Sequence, residues 1–142
     1  MKKIFILLPH KDQFIKSYSG SASIWVKDFF LASIFKNNTT IFGSTNNLKD
    51  VIIKKNYKNL KIPSVKFRSR TNIYLKEFAS QLIKGNPSIV EIHNRPSYLL
   101  YLHKKFKKIK YFLIIHNDPQ NLEGSSSLKQ RIELLNICEQ TF

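Results

Sequence analysis

Two histidines carry the clearest chemical signal in this chain. His93 and His116 each close an apolar run and are each followed by asparagine, in the echoed pentapeptides Ile-His-Asn-Arg-Pro (92–96) and Ile-His-Asn-Asp-Pro (115–119). An imidazole titrates near neutrality, so it can donate to a sugar or phosphate oxygen, or act as a base. Asn94, Arg95, Asn117 and Asp118 place amide, guanidinium and carboxylate groups beside the two rings. A metal centre fits less well, because Asp118 is the only nearby carboxylate after either pair and the usual metallohydrolase spacings are absent. The single cysteine, Cys138, excludes a Cys-based zinc site and an internal disulfide, and its apolar setting predicts a buried, inert thiol. His103, inside a lysine-rich run, reads as solvated, and His10 lies on the first loop near the same edge.

The elements that must position these groups follow from apolar patterning. Residues 89–92 and 111–115 read as strands, and 98–108 between them is long enough for about three helical turns. A strand, helix, strand unit makes parallel neighbours joined by a right-handed crossover. Both His-Asn pairs then leave the sheet at its carboxyl edge, where open α/β sheets bind ligands. Upstream, the continuous apolar run 3–8 predicts a central strand buried on both faces. Residues 22–36 read as a helix so apolar that it should be covered on more than its sheet side. A second strand follows at 39–42, ending at Gly43. Residues 48–61 read as a lysine- and asparagine-rich excursion, and 64–67 as an edge strand. A helix starts at Thr71 or Asn72, runs to Ile83 and stops at Gly85-Asn86-Pro87. Ser127 and Gln130 have capping-box spacing, and 137–142 reads as a further strand. The fold class is therefore α/β, one parallel Rossmann-like sheet with helices on both faces.

Length and charge bound the rest. A chain of 142 residues with 42% hydrophobic content is one domain with a real core. The formal charge of +15 comes mostly from lysine, which fits a biased composition, a face that docks on anionic lipid, or nucleic-acid binding. No nucleic-acid motif accompanies it. Lys54, Lys55, Lys58 and Lys61 together with residues 103–110 form the candidate lipid-facing patch. The first apolar run is too short for a signal peptide and no run spans a bilayer, so a cytoplasmic protein is expected. Dinucleotide and P-loop glycine motifs are absent; Ser19-Gly20-Ser21 before the first helix either cradles a phosphate or is an ordinary cap.

This layout resembles the N-terminal domain of retaining GT-B glycosyltransferases of family 4. Ser19-Gly20 stands where such domains often carry Gly-Gly. Val90–His93 and His116-Asn117-Asp118-Pro119 stand where they carry His at the ends of successive strands. The resemblance implies that residues 1–142 are the acceptor-side half of a two-domain enzyme that transfers a sugar from a nucleotide sugar to a cell-envelope glycan, such as lipopolysaccharide, or to a lipid-linked acceptor. The donor-side half with its E-x7-E motif is absent, so the chain alone is expected to be inactive and to associate through an exposed apolar face. His116 would be the catalytic residue, donating to the transferring sugar's hydroxyl or steadying developing charge. Ser19, Gly20, His93, Asn94, Arg95, Asn117 and Asp118 would bind substrate, with the Gly20 amide near the donor phosphate. The resemblance implies no metal and no cofactor beyond the sugar nucleotide, no nucleic-acid partner, and a location at the inner face of the cell membrane. The alternatives are a non-catalytic α/β module for a phosphorylated or sugar ligand, and a basic nucleic-acid-binding domain.

Overall fold

Alternating burial along the first strand sets the layers. In β1 (Ile4–Leu7), Phe5 and Leu7 join one apolar cluster while Ile6, with Leu8 just beyond, joins another. The computed structural model, which describes residues 2–64 and 69–141, continues with α1 (Ser21–Ala32), β2 (Thr39–Gly43), β3 (Tyr57–Asn59), α2 (Arg70–Gly85), β4 (Ile89–His93), α3 (Pro96–Lys105), β5 (Lys110–Ile114), α4 (Leu128–Ile137) and β6 (Cys138–Thr141). The strands form one sheet in the order β3-β2-β1-β4-β5-β6, and every pairing is parallel. Strand β1 is central, as the apolar run predicts, and the order is that of a Rossmann-like sheet.

The two faces are covered unequally. On the first, Phe5, Leu7, Phe42, Val90, Ile92, Tyr111 and Leu113 pack against Tyr74 and Phe78 of α2, Leu99 and Leu102 of α3, and Leu134 of α4. On the second, Ile6, Leu8 and Ile41 pack against Ala22, Val26 and Phe30 of α1, with Phe14 and Val51 from loops. Over β4 and β5 this second face carries no described helix. A groove of about 660 Å³ remains there, lined by Trp25, Phe29 and Phe30 on one side and by Glu91, Phe112 and Ile114 on the sheet.

Several expectations are corrected. Helix α1 ends at Ala32, not at residue 36, and Ile24, Phe29, Leu31, Ile34 and Phe35 are exposed rather than covered beyond the sheet side. Of these, Phe29 and Phe35 line the groove left open over β4 and β5. The edge strand is Tyr57–Asn59, inside the stretch read as an excursion; of the expected strand 64–67, residues 65–67 lie outside the described residues. Lys58 and Asn59 have weak strand propensity. Tertiary partners make the strand: Tyr57 stacks on Phe14 at 5.5 Å, and Asn59 Oδ1 accepts the Thr45 N–H at 2.8 Å. His103 is half-buried, edge-on to Tyr111 at 5.9 Å, instead of solvated. Cys138 is half-buried, not buried.

The stop and start signals act as their chemistry dictates. Asn86 takes the left-handed conformation (φ 45°), and its N–H bonds the Leu82 carbonyl before Pro87 breaks the helix. Ser127 and Gln130 form the expected reciprocal capping box of α4. The loop before that box is anchored on α3. The Glu123 carbonyl accepts the Ser97 N–H at 3.1 Å, so it satisfies a donor of α3's first turn. Gly124 follows at φ 91°, and a Cβ there would lie 2.5 Å from the Ser97 backbone nitrogen. Gly124→Ala therefore combines a left-handed φ with a clash against backbone. It should cost about 1–3 kcal/mol, read as a lower urea midpoint at unchanged m-value. A midpoint equal to wild type would show that this loop does not depend on glycine.

Candidate functional site

The sheet changes direction between β1 and β4, and the crevice outside their carboxyl ends is the ligand position of this architecture. β4 ends at His93, whose register partner on β5 is Ile114; His116 follows two residues past the end of that strand. The two imidazoles stack with centroids 5.4 Å apart at 17°, and His93 Nδ1 lies 3.1 Å from His116 Nε2. Asn94 makes this approach possible. It adopts φ 52°, a left-handed value that asparagine tolerates better than most residues. Its N–H bonds the Ile114 carbonyl at 2.7 Å and its Oδ1 accepts the His116 N–H at 3.4 Å. One asparagine thus ties the two strand ends together. Pro96 then opens α3 at once, and Arg95 before it stays out of the helical region at φ −141°, ψ 76°.

A third polar side chain joins the pair from within the sheet. Residues i and i+2 of a strand share a face, so Glu91 stands beside His93, and its Oε1 lies 2.5 Å from His93 Nε2. The His93 side chain is fully buried and that of Glu91 is 12% exposed. Trp25 of α1 packs on the His93 ring at 5.2 Å and meets His116 edge-on at 6.2 Å. Burial holds the His116 imidazole below its ordinary pKa, and charge on His93 adds to the effect; the Asp12 carboxylate pulls weakly the other way. Sequence reasoning missed Glu91 and Trp25 as site residues. A carboxylate two residues before a strand-ending histidine, inside an otherwise apolar run, was the available signal.

The remaining predicted residues divide. Arg95 stays near the crevice and donates from Nη1 to the Asn94 carbonyl at 2.8 Å. Asn117 and Asp118 are exposed. The Asp118 carboxylate caps its own loop, accepting from the Gln120 N–H at 2.9 Å and from Asn121 Nδ2 at 3.3 Å; among the described residues no hydrogen bond joins it to His116. Ser19 donates its hydroxyl to the Ile15 carbonyl. The Gly20 amide donates to Asp12 Oδ1 at 3.1 Å, and Ser23 donates to the same carboxylate through Oγ at 2.6 Å and through N–H at 3.4 Å. A carboxylate of this chain thus occupies the positive end of α1, where an anion is favoured. His10 does border the crevice. Its Nδ1 lies 2.8 Å from the Tyr98 hydroxyl, which burial keeps protonated and therefore a donor. Burial lowers the His10 pKa, and the charges of Lys11, Arg95 and Arg70 lower it further. Among the described residues no three His, Cys, Asp or Glu side chains gather as a metal-ligand set.

No protein-family model matches the chain, and no curated protein sequence does. Among solved structures it is similar to UDP-GlcNAc 2-epimerase from Methanocaldococcus jannaschii, at 18% identity and a TM-score of 0.58. The alignment covers 100% of this chain and 39% of the epimerase chain, so the present sequence spans well under half the length of that protein. At this identity the likeness carries the fold. It agrees with the topology in giving a Rossmann-like α/β sheet.

Proposed function

We propose that this chain is the acceptor-side half of a nucleotide-sugar enzyme of GT-B type, a retaining glycosyltransferase that acts on a cell-envelope glycan or lipid-linked acceptor. The observation that carries the reading is the His93–His116 pair, its ring nitrogens 3.1 Å apart beside the β1/β4 switch point. Its position on a Rossmann-like sheet, and the likeness of that sheet to a UDP-GlcNAc 2-epimerase, support it. In this reading His116 meets a hydroxyl of the sugar, and no metal is required. Lys11, Arg70 and Arg95, whose charges all reach His10, supply the field for a diphosphate. That assignment moves the phosphate away from the Gly20 amide, which Asp12 already occupies. Asn94 positions the histidines, while Ser19, Asn117 and Asp118 shape the loops at the rim. A non-catalytic sugar-binding module would present the same crevice without turnover in the complete protein.

The parallel topology also suggests where the molecule would meet a membrane. Lys2 and Lys3 precede β1, Lys36 precedes β2, Lys54 and Lys55 precede β3, Lys84 precedes β4, and Lys107 and Lys108 precede β5; all are exposed. Because the strands are parallel, all of these entries lie on the edge opposite the crevice. Lys58 sits within β3 and Lys61 beyond its carboxyl end, so the patch drawn from sequence divides. We assign this lysine pole to an anionic lipid surface, which leaves the crevice facing away. No described helix is long and apolar enough to cross a membrane.

Three outcomes are expected. Titration of the 142-residue chain with UDP-GlcNAc, followed by 1H–15N spectra, should shift signals of residues 10–12, 93–95 and 116. His116→Ala should weaken that binding about two- to tenfold, the loss of one neutral hydrogen bond. Shifts confined to other surfaces, or none at millimolar ligand, would reject the crevice. Stability should depend on pH with a definite sign. His10 and His116 have lowered pKa values when folded. The unfolded chain therefore takes up protons first as pH falls below about 6.5. Urea midpoints should stay level above that pH and fall below it, and the fall should be shallower in His10→Gln/His116→Gln. Finally, phosphatidylglycerol vesicles should bind the chain at low salt and release it as salt rises, with Lys107→Glu/Lys108→Glu binding less; each lysine near such a surface is worth about 1 kcal/mol. Equal binding to phosphatidylcholine would remove the lysine pole as a lipid-docking face.

A further inference from the structure

A line of polar atoms runs from inside the sheet to the crevice. Glu91 Oε1 lies 2.5 Å from His93 Nε2, and His93 Nδ1 lies 3.1 Å from His116 Nε2. Both nitrogens of the buried His93 ring are therefore engaged. The remaining nitrogen of His116, Nδ1, takes no hydrogen bond among the described residues, and it is not sealed from solvent, since no buried side-chain nitrogen or oxygen among them lacks a partner.

Elementary acidity fixes where the protons sit. A carboxylate can only accept, so the proton between Glu91 and His93 belongs to Nε2. A neutral imidazole protonated on Nε2 has a bare Nδ1, which can only accept. His116 must then donate to it from Nε2, and its own Nδ1 is left bare. One added proton reverses the inner bond. His93 becomes an imidazolium against the Glu91 carboxylate and donates from Nδ1, and His116 carries its proton on Nδ1. Two imidazolium rings with centroids 5.4 Å apart repel, so a second added proton is disfavoured. Asp12 is the other charged group that reaches His116, from the loop after β1.

We propose that Glu91 and His93 are positioning residues that make His116 a base, with Nδ1 as the accepting atom, for a hydroxyl of a sugar ligand. The identity of that hydroxyl rests on the function proposed above; the arrangement of protons does not. The hydroxyl proton passes to His116 Nδ1, and the proton on His116 Nε2 passes to His93 Nδ1. The hydroxyl oxygen keeps the electron pair of the broken O–H bond, and the positive charge comes to rest on His93 beside Glu91. Trp25 covers the His93 ring, so the charge forms where the carboxylate is little screened. Of the donor and base roles that the sequence left open for His116, this takes the base, where the family resemblance implied the donor. It also explains a carboxylate on an apolar sheet face, which would be costly there without a partner.

Long-range 1H–15N correlation spectra of the imidazoles test this without any sugar in the sample. At pH 8 both His93 and His116 should carry hydrogen on Nε2 alone. Glu91→Leu removes the acceptor of the His93 Nε2 proton, so His93 should then show hydrogen on Nδ1 as well as on Nε2 at pH 8. A wild-type spectrum with His116 protonated on Nδ1 at pH 8 overturns the proposal, and so does an unchanged His93 tautomer in Glu91→Leu. If that variant does not fold, the wild-type spectrum decides alone. Because no ligand is present, a failed UDP-GlcNAc titration would reject the sugar site and leave this proton arrangement standing, and the converse also holds.

Discussion

The pairing of β1 with β2 on one side and β4 on the other is the constraint on which the rest depends. Both pairings are parallel, so every crossover must return the chain to the same edge before the next strand begins. Strand exits then collect at one end of the sheet and strand entries at the other. The exits hold His10, Asp12, His93, Asn94, Arg95 and His116. The entries hold much of the exposed lysine. Topology thereby sets the candidate site and the lysine-rich strand entries at opposite poles.

Burial is distributed just as unevenly. One face of the sheet is closed by three helices around Phe78, Leu99 and Tyr111, and it carries most of the hydrophobic stabilisation. The other is closed by α1 over β1 and β2 and left open over β4 and β5. Glu91 stands on that open face. Its neighbours Ile89, Phe112 and Ile114 are apolar, so the carboxylate depends on His93 for its partner. The histidine in turn is held by the stacked His116, and His116 by the Asn94 side chain. Each group is satisfied by the next, and among the described residues no buried polar side-chain atom is left without a partner.

The helix N-terminus at Gly20 illustrates a different resolution of the same physics. Free amides and a helix dipole favour an anion there, which is why a phosphate was a reasonable expectation. The chain supplies its own anion, because the polar loop after β1 folds Asp12 back onto Gly20 and Ser23. In the proposed function, positive charge for an external anion comes instead from Lys11, Arg70 and Arg95, which lie in three separate segments. The glycine at 20 fits this closeness, since a Cβ would lie 2.5 Å from an Asp12 oxygen.

Taken alone, the sequence determined the layers and their order. The apolar run at the start, the alternation of strand and helix patterns, the Asn86-Pro87 stop and the Ser127–Gln130 cap are local signals, and local chemistry decides them. The echoed Ile-His-Asn ends likewise announced that His93 and His116 share one edge, because equal positions on parallel strands must. Only the tertiary structure decided how these rings meet. Their approach requires the left-handed turn at Asn94, and the carboxylate that engages the other side of His93 comes from Glu91, at a distance that no spacing in the chain states. It also decided that Tyr57–Asn59 is a strand, since Lys and Asn pair there only because Phe14 and Thr45 arrive beside them. Local propensity is readable residue by residue; contacts between distant segments exist only once the sheet has closed.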